Sequence, residues 1–253
     1  MPAADPRPLR CTLPSQAARL RRAGLLPLLV AICIAPAARA DEVKPFEVSY
    51  NLVYLGLTVG HATLTLVHRD SDTWVYSSKR EVRGIAALLS TSPPDQESVM
   101  RVTESGVQPL TYRVGLGAPS AKDVKLSFDW TTGHVTGVYE DSKLDEPVPQ
   151  GTQDELSIGI SLVHTMVHGE EPNNAVLLDG KVPHHYHFVR EKEEVLNTKI
   201  GKVPTIVYTR TKAEGPETSR FWFAPGYGFV PMRVEEKDDT GRQYSLVVLS
   251  MKR

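Results

Sequence analysis

Eight histidines occur in the chain, and two groups of them have spacings that chemistry can use. His184, His185 and His187 flank Tyr186. On an extended segment His185 and His187 point to one face about 7 Å apart, so their imidazoles could begin a zinc or copper site. The sequence identifies no third ligand, and a partly exposed strand face is the simpler reading. His164 and His168 are four residues apart on a helical pattern, the histidine spacing of the zinc-protease helix. That helix needs a glutamate general base directly after its first histidine, and this chain has Thr165 there. The protease reading therefore fails, and a polar helix face or a C-terminal cap is expected instead. No metal and no cofactor is expected.

Other signatures of catalysis are missing. There is no Gly-x-Ser-x-Gly elbow, no Walker loop and no dinucleotide fingerprint. A triad assembled in space stays open as a third reading, a hydrolase. Glu140-Asp141 and Asp145-Glu146 read as a solvated charge run before the helix; calcium would need further oxygen ligands, and no EF-hand spacing is present. Both cysteines, Cys11 and Cys33, lie in the first 40 residues. The remainder has no thiol for nucleophilic catalysis or for a cysteine-type zinc site.

Those first residues have the form of a cleaved export leader. Arg19, Arg21 and Arg22 make a basic region, Leu25 to Ala35 is apolar, and Ala38-Arg39-Ala40 fits small-x-small cleavage. The apolar run is too short for a membrane span, which needs roughly 20 residues, and no later stretch reaches that length. The expected division is residues 1–40 as leader and 41–253 as a single β-rich domain, soluble and periplasmic. Removing the leader takes away six arginines and one aspartate, leaving 23 basic against 29 acidic residues, a net charge of −6. That excludes non-specific nucleic-acid binding and electrostatic attachment to anionic lipid.

The elements that must position any site are mostly strands. Phe46, Val48, Tyr50, Leu52 and Tyr54 alternate with polar residues, the period of a strand with one buried face. Further strands are predicted over 57–69, 73–83, 97–104, 107–116, 124–130 and 134–140, then over 175–179, 182–191, 194–200, 203–212, 219–224, 229–238 and 242–252. Residues 84–89 suggest one helical turn, ended by Pro93 and Pro94. Residues 141–150 read as a loop. Leu246 to Leu249 is continuously apolar, which predicts cover on both faces of the last strand.

One long helical pattern runs from Gly151 to Gly169, with Thr152 and Glu155 as a capping box and Leu156, Ile160, Val163 and Val167 as one apolar stripe. The predicted fold is therefore mainly β: a single large curved antiparallel sheet, or open half β-barrel, with this helix as lid or plug. Many strands closing around one face leave a cavity to be filled by side chains or ligand. Tyr50, Tyr54, Leu156, Ile160, Val163 and Trp222 are the candidate pocket wall.

Several stretches together resemble the domain of unknown function 3108 family. They are Phe46 to Gly60 with Tyr50, Tyr54 and Gly56; Asp154-Glu155-Leu156-Ser157; Asn197 to Gly201; and Phe221-Trp222-Phe223 followed by Val230-Pro231-Met232-Arg233-Val234. The family pattern carries an aspartate a few residues after the tryptophan, where this chain has Ala224-Pro225-Gly226-Tyr227. The resemblance implies an exported, β-rich bacterial protein, usually periplasmic, and brings no catalytic residues. The first functional expectation is a non-enzymatic periplasmic carrier for an apolar small molecule or lipid-like client. The alternative is an envelope assembly protein with a packed core, meeting a protein partner through a sheet edge or the strand His184 to Val189. An empty apolar cavity above about 300 Å³ favours the first, a filled interior the second.

Overall fold

The computed structural model describes residues 42–83, 94–115, 123–237 and 243–253. The leader, the helical turn at 84–89, the turn around 117–120 and that at Thr240-Gly241 lie outside the described residues.

Fourteen strands form one antiparallel sheet among the described residues. The first half is a meander: β1 Phe46–Tyr54, β2 Leu57–Asp70, β3 Thr73–Val82, β4 Gln96–Thr103, β5 Gly106–Val114, β6 Val124–Asp129, β7 His134–Tyr139 and β8 Ser142–Pro147. The helix α1, Ser157–Val167, follows. The second half is β9 Asn174–Leu177, β10 His184–Thr198, β11 Gly201–Lys212, β12 Thr218–Ala224, β13 Val230–Lys237 and β14 Gln243–Lys252. The spatial order runs from β8 back to β1, then β14, and on down to β9. First and last strands thus lie side by side in the middle, while α1 carries the chain from one outer edge to the other.

The two outer edges come together across the helix entry. Gln153 bridges Leu177 of β9, its amide donating to Val176 at 2.8 Å and its carbonyl accepting from Leu178 at 2.9 Å. Lys181 Nζ donates to Ser142 Oγ, on β8, at 2.8 Å. The sheet must curl for this to happen, and register shifts in β1, β4, β10 and β12 supply local twist. Neighbouring strands also approach closely at two glycines. A Cβ on Gly60 would lie 2.1 Å from the Glu81 carbonyl oxygen, and one on Gly137 2.0 Å from that of Lys125.

Four expectations need correction. Residues 141–150 contain β8, whose charges Lys143 and Asp145 are exposed and Glu146 half-buried around buried Leu144, as suits an edge strand. Segments 182–191 and 194–200 are one strand, β10, with the register shift between Arg190 and Lys192 absorbing the break in pattern. The helix cap is not Thr152, whose hydroxyl donates to Pro149 O at 2.8 Å. Asp154 Oδ1 instead accepts the amides of Leu156 at 2.8 Å and Ser157 at 2.7 Å, while Ser157 Oγ accepts the Asp154 amide at 2.9 Å. The reciprocal cap is thus two residues later, with aspartate and serine in the two roles. In β14 only Val248 is fully buried, and Leu246, Val247 and Leu249 are half-buried.

The helix is also covered on more than the expected stripe. Leu156, Ile160 and Val163 join the large cluster with Tyr50, Tyr76, Met100 and Trp222. Ile158, Leu162 and Met166 join a second cluster with Leu177, Tyr186, Phe188, Tyr208 and Phe223. A helix apolar on two sides belongs inside a fold, and packing holds it against the cost of Gly159. A Cβ there would meet Tyr76 Cε1 at 3.8 Å, ordinary contact. Gly159→Ala is therefore expected to raise the unfolding free energy by about 0.5–1 kcal/mol, read from the shift of a urea transition at constant slope.

Candidate functional site

The curled sheet makes a trough with α1 along it, and its two ends differ in chemistry. At the helix start the wall is polar. Ser98 Oγ donates to Asp154 Oδ2 at 2.6 Å, so this fully buried carboxylate holds three hydrogen bonds. Burial nevertheless pushes its pKa up to about 6, against the pull of Ser98 and the helix amides. Beside it Gln96 Nε2 reaches Tyr112 Oη at 3.1 Å and Glu155 Oε2 at 3.4 Å. Burial raises Glu155 too, opposed by Tyr112 and by the charge of Arg80. These groups satisfy one another and fix where the helix begins.

At the helix end apolar side chains lie beneath a charged mouth. Phe46, Val163, Val167, Phe229 and Val230 border a cleft of about 140 Å³, with Lys44, Glu42 and Arg253 on its rim. A second, more open cavity of about 250 Å³ lies on the β10–β11 hairpin against Glu193, Val195, Pro204, Ile206 and Pro225. Both volumes fall below the roughly 300 Å³ usual for small-molecule sites.

Five of the six sequence-predicted wall residues share the large cluster: Tyr50, Leu156, Ile160, Val163 and Trp222. Val163 alone among the six borders this cleft. Tyr50 donates to Pro231 O at 2.7 Å, which ties β1 to β13. Trp222 is covered by the guanidinium groups of Arg220 and Arg233, each 5.1 Å from its ring. Tyr54 lies outside the cluster, half-buried and stacked on Tyr244 at 4.9 Å. Phe46 and Phe229 belong to the aromatic stripe that the sequence offers as a possible pocket lining; Val167 and Val230 were left out as cleft residues. Val167 was legible as the last residue of the helical stripe; that Phe229 and Val230 reach it depends on the turn at Pro225–Tyr227, which alternation does not reveal.

Four of these five histidines, all but His185, have hydrogen-bond partners for their side chains within the fold. His164 Nε2 lies 2.8 Å from Thr103 O and its ring stacks on His168 at 4.1 Å, while His168 Nδ1 lies 2.8 Å from the His164 carbonyl. Burial lowers the His164 pKa, opposed by the Thr103 carbonyl. His185 and His187 are exposed, with His187 Nδ1 2.5 Å from Asn174 Oδ1. His184 Nδ1 meets Asp179 Oδ1 at 2.5 Å, and Tyr186 and Lys212 bind the other oxygen of that carboxylate. Burial works against ionisation of Asp179, yet Tyr186, His184 and Lys212 together hold it below its ordinary value. This group ties the β9–β10 connection to β11.

No curated protein matches the sequence. Among solved structures the chain is similar to a beta-barrel-like protein of domain of unknown function DUF1849 from Brucella abortus, at 11% identity and a TM-score of 0.52, over 84% of this chain and 98% of that one. That likeness is one of fold. A candidate exported protein with a YmcC-like fold from Bacteroides fragilis (11% identity, TM-score 0.38, 84% and 98% covered) and a candidate lipoprotein from Parabacteroides distasonis (7%, 0.36, 84% and 97%) are more distant and support no inference. The family described as protein of unknown function DUF3108 matches residues 45–247, and with the strand, helix and tryptophan motifs all inside that span the chain belongs to the DUF3108 family.

Proposed function

We propose that this chain is a non-enzymatic binding protein of the bacterial envelope, exported by a leader removed after residue 40, that carries an apolar, lipid-like ligand beside α1. The observation that carries the reading is the cleft at the helix end, floored by Phe46, Val163, Val167, Phe229 and Val230 beneath a charged mouth of Glu42, Lys44 and Arg253. Its 140 Å³ admits the end of a hydrocarbon chain and no more. Deeper entry requires α1 to shift, which would expose Leu156 and Ile160 to the ligand, with Tyr50 and Trp222 as wall and Tyr54 as its outer end. Burial of hydrocarbon gains about 0.8 kcal/mol per methylene, so a long chain can offset the packing that α1 gives up.

The test is native mass spectrometry of the exported protein, purified from its own envelope without detergent, followed by organic extraction. A stoichiometric apolar adduct in the wild type, lost in a folded Val163→Trp variant that fills the cleft, is the expected result. An adduct retained by the folded variant would move the site elsewhere. The filled interior favours a second reading, an envelope interaction protein. A clean apo mass persisting after incubation with envelope lipids would give that reading precedence.

A further inference from the structure

The turn between β1 and β2 is built from unusual residues for its geometry. Leu55 and Gly56 form a two-residue loop in which both have positive φ, 48° and 82°. Turns of this kind favour asparagine or aspartate before glycine, because those side chains tolerate the left-handed region and like water. Here a leucine takes the strained position. Leu55 is 66% exposed and Leu57, just past the turn, 72%. Among the described residues nothing lies within 4 Å of a Cβ built on Gly56. Behind this tip Tyr54 and Tyr244 stack at 4.9 Å, and Tyr244 is itself 43% exposed.

Charge sets this tip apart as well. Tyr54 to Gly60 contains no acidic or basic residue, in a chain in which 23% of residues are charged. The far end of the same strand pair is closed by the Lys252–Glu47 ion pair at 2.8 Å. At the tip end charge begins only on the neighbouring strands, with Glu236 and Lys237 opposite Tyr244 and Gln243 and with the Arg83–Glu81 pair beside Val59.

We propose that the Leu55–Leu57 tip is a membrane-docking element that inserts its two leucines into the surface of a lipid bilayer. An exposed apolar tip without charge enters hydrocarbon with no ion to desolvate, and the tyrosine pair one residue behind sits at headgroup depth, where such rings are favoured. The acidic body of the protein stays in water. Two leucines give weak, reversible attachment, below that of a single acyl anchor, which is itself marginal. Docking of this kind is independent of whether the trough carries a ligand.

Flotation of the detergent-free exported protein with vesicles of phosphatidylethanolamine and phosphatidylglycerol tests it. The wild type is expected to float in part, and Leu55→Asn to bind roughly tenfold more weakly, since each leucine contributes about one such factor. Asparagine suits the left-handed turn, so the variant's melting temperature is expected to stay equal or rise, which separates docking from folding. Thr58→Cys carrying a polarity-sensitive dye should shift to the blue with vesicles. Absence of wild-type flotation, or equal flotation of the folded Leu55→Asn variant, overturns the proposal. Vesicle-independent self-association that Leu55→Asn abolishes would also overturn it, and would assign the tip to a second copy of the chain.

Discussion

Asp154→Ala is expected to lower the unfolding free energy by about 3 kcal/mol, combining a lost helix cap with buried donors left unpaired. The carboxylate takes the amides of Leu156 and Ser157 and the hydroxyl of Ser98, and none of these has solvent to turn to. Asp154→Asn keeps an oxygen for the two amides and should cost far less, which isolates charge from geometry. The same carboxyl makes stability depend on pH. Folding raises it from an ordinary 3.8 to about 6, so between those values the native state binds a proton that the unfolded chain has released. The group's stabilising contribution is therefore fully present below pH 3.8 and is lost as pH rises through 6. Wild type should gain on Asp154→Asn by about 1–3 kcal/mol between pH 7.5 and pH 4.5, because holding one proton across each pH unit is worth about 1.4 kcal/mol. Parallel stability profiles for the two proteins, measured by urea unfolding across that range, would show that the carboxyl titrates normally in the fold.

Gly137→Ala is expected to cost more than about 3 kcal/mol, through a backbone that must move rather than a side chain that can. Its φ of 146° is open to glycine and costly for any other residue. The added methyl would lie 2.0 Å from the Lys125 carbonyl oxygen on β6, which is in the sheet ladder. Relief requires β6 and β7 to separate, and with them β8, the edge that meets the β9–β10 connection through Ser142 and Lys181. Loss of cooperative unfolding, or a melting temperature many degrees lower, is the expected readout. A variant as stable as the wild type would mean that the sheet relaxes there without cost.

Most strands could be read directly because one face of each is buried and the other is wet, so alternation in sequence follows the pleat. Phe46 to Tyr54 is the clearest case, and the structure returns the same bounds. β8 was hidden because an edge strand keeps its charges: Lys143, Asp145 and Glu146 carry no core signal, and only Leu144 faces inward. β10 looked like two strands because its register shift after Arg190 resets the alternation. The helix was legible in position but not in environment, since Ile158, Leu162 and Met166 form a second apolar face that a search for one stripe passes over. Its cap, Asp154 with Ser157, is local in sequence, but Thr152 and Glu155 offered a competing box two residues earlier; what no local pattern supplies is Ser98, 56 residues away, which holds the other oxygen of the same carboxylate. The cleft was partly legible through Val163 and Val167 on the helix, whereas Phe46, Phe229 and Val230 meet them only in the fold.

The pairing of the first strand with the last has a kinetic consequence. Glu47 lies opposite Lys252, and Tyr54 opposite Tyr244, so β1 gains its second neighbour only when nearly the whole chain is available. Contacts between such distant residues close large loops before any stabilisation is returned, and domains rich in them fold slowly. A chain emerging N-terminus first would carry β1 and its apolar face half-covered until the last strand arrived. The meander β1 to β8 can assemble early from hairpins, but the seam at β1 and β14 forms last. Truncation within β14 should therefore leave a species with much native sheet and an open centre, prone to pair with another chain along the exposed edge of β1.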